Sequence, residues 1–134
     1  MGRRSRAGNR SRRVSAQIQD LEAYDLGDLI DLHIADMKEV GKAPARSKEA
    51  TLKMLKRVLG KRKLVGLDRD RFIDFGKARA AKGAGPVTPS IDIGIVRLVL
   101  QHAAAVHGLR VSVEAVDLAR YALKRLGLIR TDTG

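Results

Sequence analysis

The longest apolar stretch of the sequence, PVTPSIDIGIVRLVLQHAAAVHG from Pro86 to Gly108, constrains the fold more than any other segment. It carries helix signals at both ends. Thr88 is a candidate N-cap, Pro89 fits the first helical position, where its missing N–H is not needed, and Gly108 offers a left-handed stop. About five turns fit between them. At 100° per residue, Ile93, Val96, Leu100, Ala103 and His107 fall on one side, while Ile95, Leu98, Val99, His102 and Val106 spread over much of the remainder. Such a helix needs cover on several sides. Only one narrow strip, Ser90, Gly94, Arg97 and Gln101 at i, i+4, i+7 and i+11, is expected to escape. Glycine inside a helix costs about 1 kcal/mol relative to alanine, so Gly94 marks either close packing by a neighbouring helix or close approach of a ligand such as a phosphate backbone.

The rest of the chain has to supply that cover. Its 134 residues suit one domain, and a 44% hydrophobic content with only 3% aromatic residues points to an aliphatic core of Leu, Ile, Val and Ala. The formal charge is +12. Six of those charges are Arg3, Arg4, Arg6, Arg10, Arg12 and Arg13, in a start without acidic residues; the remainder still carries 21 basic against 15 acidic residues. With a pI near 10.7, both parts match the electrostatic footprint of nucleic-acid binding, with an anionic membrane surface as the competitor. The absence of cysteine excludes disulfides and thiolate metal sites and suits a reducing cytoplasm. Three histidines read as too few and too scattered for a metal cluster, so neither metal nor cofactor is expected. No run of 18 apolar residues is present and the arginine-rich start is not followed by an apolar signal core, so secretion is not expected.

In chain order, residues 1–22 read as a flexible basic arm with too little apolar surface to offset the entropy of ordering. It is either a tail for DNA phosphates or a piece of upstream sequence without a role of its own. Asp25 and Asp28 make a weak capping box for a first helix, with Leu26, Leu29, Ile30, His33, Met37 and Val40 inward and Gly41 as its end. His33 is expected to be a core histidine with one hydrogen-bond partner. The outward Asp28, Asp31 and Asp36 should not face nucleic acid. A second helix runs from Arg46 to Gly60, with Leu52, Leu55 and Leu59 inward and Arg46, Lys53, Lys56 and Arg57 opposite, and the positive run continues through Lys61, Arg62 and Lys63. That face is either DNA-contacting or merely solvated. Asp68 caps a third helix to about Lys82, with Phe72, Ile73, Gly76 and Ala80 inward and Phe75 and Arg79 flanking. Arg79 either pairs with an internal aspartate or reaches phosphate over an aromatic shelf. The long helix then begins, and Thr88 and Ser90 either cap it or hold a phosphate on its free amides. A last helix, capped by Ser112, turns Val116, Ala119, Leu123 and Leu126 inward and stops at Gly127. Five helices with short loops predict an all-α bundle.

The order of these segments carries a resemblance. A helix opening LGDLIDLHI, a basic helix ending MLKRVLG, a connector into the helix holding Arg79, and the turn GAGPVT followed by IDIGIVRLVLQHAAAVHGL resemble the core-binding domain of phage-type integrases, the tyrosine recombinases. The segment VDLARYALKRLGLI is similar to the one that leads into the catalytic domain in some of them. The match spans Asp25 to Ile129. It implies a small SAM-like orthogonal bundle of four to five helices that clamps one side of double-stranded recombination-site DNA. A catalytic domain of the same parent chain would hold the other side, with further integrase protomers as neighbours on the DNA, in the cytoplasm at the nucleoid. The family's catalytic Arg, Lys, His-x-x-Arg and Tyr belong to that absent domain, so neither Tyr24 nor Tyr121 is assigned as nucleophile and the chain alone is expected to be inert. The expected DNA-contacting set is Arg46, Lys53, Lys56, Arg57, Arg79, Lys82, Thr88, Ser90 and Arg97. Two other classes stay open: a helical protein-interaction module, and a non-specific binder of RNA or membrane recruited by charge. Few aromatics for base stacking speak against RNA, and the lack of a free apolar wedge beside the basic residues speaks against a membrane.

Overall fold

A computed structural model of the chain describes residues 19–83 and 85–130. The expected basic arm lies outside the described residues as far as residue 18. Its last part does not behave as an arm: residues 19–23 are helical, Leu21 packs against the core, and the Asp20 carboxylate accepts the Arg110 backbone N–H at 2.6 Å. Leu21, the Asp20 carboxylate and the Ala23 carbonyl, which accepts from Lys63 Nζ, hold this turn to the bundle.

The fold is all-α. Among the described residues, five helices follow that turn in order: α1 (Leu26–Glu39), α2 (Arg46–Leu59), α3 (Arg69–Ala81), α4 (Val87–His107) and α5 (Glu114–Arg125), with a short 3-10 turn at Leu64–Gly66 between α2 and α3. The capping box of α1 forms as its sequence requires, Asp25 accepting from the Asp28 N–H at 2.8 Å and Asp28 from the Asp25 N–H at 3.0 Å. Asp68 caps α3 by accepting from the Arg71 N–H. The long helix starts one residue before the expected cap. Thr88 lies inside it, Pro86 takes the N-cap position, and no side chain caps that end. Gly108 closes it with φ +67.

α4 is the axis of the molecule. It touches all four other helices, with the pair α1 and α2 and the pair α3 and α5 packed together on either side. Ile93, Val96, Val99, Leu100 and Ala103 are buried along it, and α4 has the length and hydropathy of a membrane span because it is the core helix. The strip left open differs from the expected one. Ile91 and Leu98 are 48% and 40% exposed, whereas Ser90 is buried. A helical wheel ranks residues by polarity, but α5 brings polar groups of its own to the Ser90 side. Phe75, expected at the flank of α3, is in the core; Leu126, expected inside, is exposed. Gly76 marks the tightest helix contact, because a Cβ there would run into the Leu123 side chain of α5.

Candidate nucleic-acid interface

Burial of Leu52, Leu55 and Leu59 fixes the rotation of α2 about its axis. The opposite ridge is then Arg46, Ala50, Lys53 and Arg57, at i, i+4, i+7 and i+11, and all four are exposed. On the flank toward α1 the charges are shared. Lys53 Nζ pairs with Glu49 at 2.9 Å, holding that carboxyl below the usual carboxylate range, and Lys56 Nζ pairs with Asp31 at 2.8 Å, which raises the lysine above its ordinary value. Asp31, on the acidic side expected to face away from nucleic acid, therefore borders the basic ridge. Exposed pairs of this kind contribute little to stability and are weakened by salt.

The ridge runs on into Lys61 and Arg62 on a backbone tied to α1. The Arg62 N–H donates to Leu59, while the Leu26 and Gly27 N–H groups donate to the carbonyls of Arg62 and Gly60 at 3.2 and 2.9 Å. Gly27 permits that approach, since a Cβ there would stand 3.0 Å from the Gly60 carbonyl oxygen. The turn bearing these cations is thus fixed before any ligand arrives. Among the described residues Arg46, Arg57, Lys61 and Arg62 make no ion pair. Thr88 is exposed and sits on the flank of α2, lining with Ser47, Lys48 and Thr51 a cavity of about 380 Å³. Lys82 is exposed at the end of α3.

Two of the expected contacts, Arg79 and Ser90, are engaged inside the bundle, and a third, Arg97, is held in an exposed pair on its surface. Arg79 Nε bonds Asp92 Oδ2 at 2.9 Å, with side chains 27% and 4% exposed, so the internal ion pair holds and the phosphate over an aromatic shelf does not. Burial raises the Asp92 carboxyl above its ordinary value, and the Arg79 guanidinium opposes that shift. Ser90 Oγ accepts from Arg120 Nη2 at 3.2 Å, and Arg97 Nε donates to Asp117 at 2.8 Å. The strip expected to be open therefore borders α5: its Ser90 end is covered, Gly94 and Arg97 are half-buried, and Gln101 alone is fully exposed. Gly94 borders the seam between α4 and α5, where the Arg120 guanidinium lies 3.7 Å from the position of an added Cβ, an ordinary contact distance, so no helix packs closely enough there to require a glycine.

The histidines are not scattered. His102 and His107 of α4 both reach Asp36 Oδ2 of α1, at 2.7 and 2.6 Å, and His33 packs edge-on against His102 with ring centroids 4.7 Å apart. The signal was two helices each carrying two such residues at short spacing, His33 with Asp36 and His102 with His107; only their packing brings the pairs together. His33 is 2% exposed, and neither of its ring nitrogens has the hydrogen-bond partner expected for it. His107 and Arg110 also have the His-x-x-Arg spacing, but His107 is bound to Asp36 and the chain's two tyrosines lie on other elements, Tyr24 before α1 and Tyr121 on α5. No known family model, curated protein or solved structure matches the chain.

Proposed function

We propose that the chain is a double-stranded-DNA-binding domain of the kind found as the core-binding domain of phage-type integrases, acting in DNA integration and recombination. The observation that carries the reading is the exposed ridge Arg46, Lys53 and Arg57 with its fixed extension through Lys61 and Arg62. Rows of cations on a rigid helix and turn neutralise phosphates and release counterions, which gives affinity without a deep pocket. Lys56, Lys82 and Thr88 border that surface, while Arg79 and Ser90 leave the proposed contact set because they serve the interior, and Arg97 leaves it because Asp117 of α5 holds its guanidinium away from the α2 ridge. Strand cleavage is assigned to a separate catalytic domain of the parent chain, with other protomers alongside on nucleoid DNA.

A second reading, a helical protein-interaction module, has one observation in its favour. An apolar cavity of about 370 Å³ opens between the 3-10 turn, α3 and α5, with Val65 and Leu118 56% and 49% exposed at its lining. The two readings separate in one titration of the protein against duplex DNA, single-stranded DNA, RNA and anionic vesicles over a salt series. DNA binding predicts tightest association with duplex and a steep linear fall of log K with log salt. Equal or weaker binding to duplex than to the other three would reject it.

A further inference from the structure

We propose that Asp36, His102 and His107 form a binding site for one divalent transition-metal ion, Zn2+ foremost, that fastens α1 to the C-terminal end of α4. The Nε2 atoms of both histidines converge on the same carboxylate oxygen, and the three ligand atoms all lie within 4.8 Å of one another. Two imidazole nitrogens and one carboxylate oxygen are a borderline donor set that suits Zn2+, leaving a fourth tetrahedral position for water.

The distances decide whether an ion fits. Zinc–ligand bonds of about 2.0–2.1 Å place ligand atoms about 3.3 Å apart on a tetrahedron. The two imidazole nitrogens, within 4.8 Å of each other, have to settle at that spacing, and the present separations from Asp36 Oδ2, 2.7 and 2.6 Å, have to widen by about 0.6–0.7 Å. Rotation of the Asp36 side chain, 23% exposed, supplies that change, and His107, 31% exposed, stands at the entrance. His107 is also the last residue of α4, where the helix dipole favours a cation. Behind the ligands, the buried His33 packs against His102 and fixes its ring, with two ring nitrogens that find no partner in the bundle. The site owes nothing to the DNA-binding ridge and stands whether or not that reading holds.

The test uses the whole chain, stripped with EDTA and titrated with ZnCl2 by calorimetry and thermal melting, and with CoCl2 for visible absorption. One equivalent of Zn2+ should bind and raise Tm, since a ligand of the folded state alone stabilises it. Co2+ should give the absorption of a tetrahedral site, and MgCl2, a hard cation that prefers oxygen ligands, should do nothing. His107→Gln and Asp36→Asn, both at partly exposed positions, should keep the parent's far-UV spectrum while Zn2+ affinity falls at least about tenfold, the least that even outer-sphere substitutions cost. If excess ZnCl2 produces neither heat nor a Tm shift, or if both variants bind Zn2+ as the parent does, the proposal is overturned and the cluster is a hydrogen-bonded one only.

Discussion

At the residue scale, burial governs His33. Desolvation first, then the nearby Lys48 and His102, lower its pKa from 6.5 to about 4, against a smaller upward pull from Asp36. As pH falls, the unfolded chain therefore takes up this proton before the folded one does. The stability associated with His33 is complete above about pH 6.5, declines between 6.5 and about 4, and is level below that. In EDTA, urea titrations of His33→Leu should show a shallower loss over that window than the parent, and about 1 kcal/mol more stability at pH 7 from removing unpartnered buried nitrogens. An identical pH profile for the two proteins would show that His33 is not the titrating group. The buried ion pair gives a prediction of opposite sign. Arg79→Ala leaves the Asp92 carboxylate alone at 4% exposure and should cost about 3 kcal/mol, the low end for a broken buried pair because Arg79 keeps some solvent. A loss below about 0.5 kcal/mol, the range of ordinary surface substitutions, would mean that Arg79 works outward after all.

Elements were legible in the sequence wherever local chemistry decides them. Asp25 with Asp28, Asp68, Gly41, Gly108 and Gly127 mark their helix ends by hydrogen bonds or left-handed backbone that few other residues provide. The basic face of α2 was legible too, because three buried leucines leave only one direction for it. What the sequence concealed lies between elements. Whether the Ser90, Gly94 and Arg97 strip faces water depends on Arg120 and Asp117, far along the chain, and the meeting of Asp36 with His102 and His107 depends on how α1 packs against α4. Two glycines separate these levels in one experiment. Gly94→Ala meets only the Arg120 guanidinium at ordinary contact distance and should stabilise by up to about 1 kcal/mol through helix propensity. Gly76→Ala collides with Leu123 and should destabilise by about 1–3 kcal/mol through overpacking. Thermal melting checks both, and a reversed order would place the tight helix contact elsewhere.

At the scale of the whole molecule, α4 is the axis of the core, the pair α3 and α5 closes one side with Arg79 and Arg120 bonded to Asp92 and Ser90 of α4, and α2 turns its cations outward from the other. The proposed division of labour is that polar groups near α5 hold the bundle and those on α2 hold DNA. Arg46 and Arg57 test it most directly, since both are exposed and, among the described residues, neither is shared with an acid as Lys53 and Lys56 are. Each phosphate contact contributes about 0.9 to the slope of log K against log salt on B-DNA. The measurement is that slope for a duplex, taken over a salt series for the parent and for the double variant Arg46→Ala/Arg57→Ala, with Tm recorded beside it. The account predicts a slope lower by about 2 and weaker binding at every salt concentration, with stability changed by no more than about 0.5 kcal/mol. A folded double variant that keeps the parent's affinity and slope would contradict it and leave the α2 ridge as a solvated helix face.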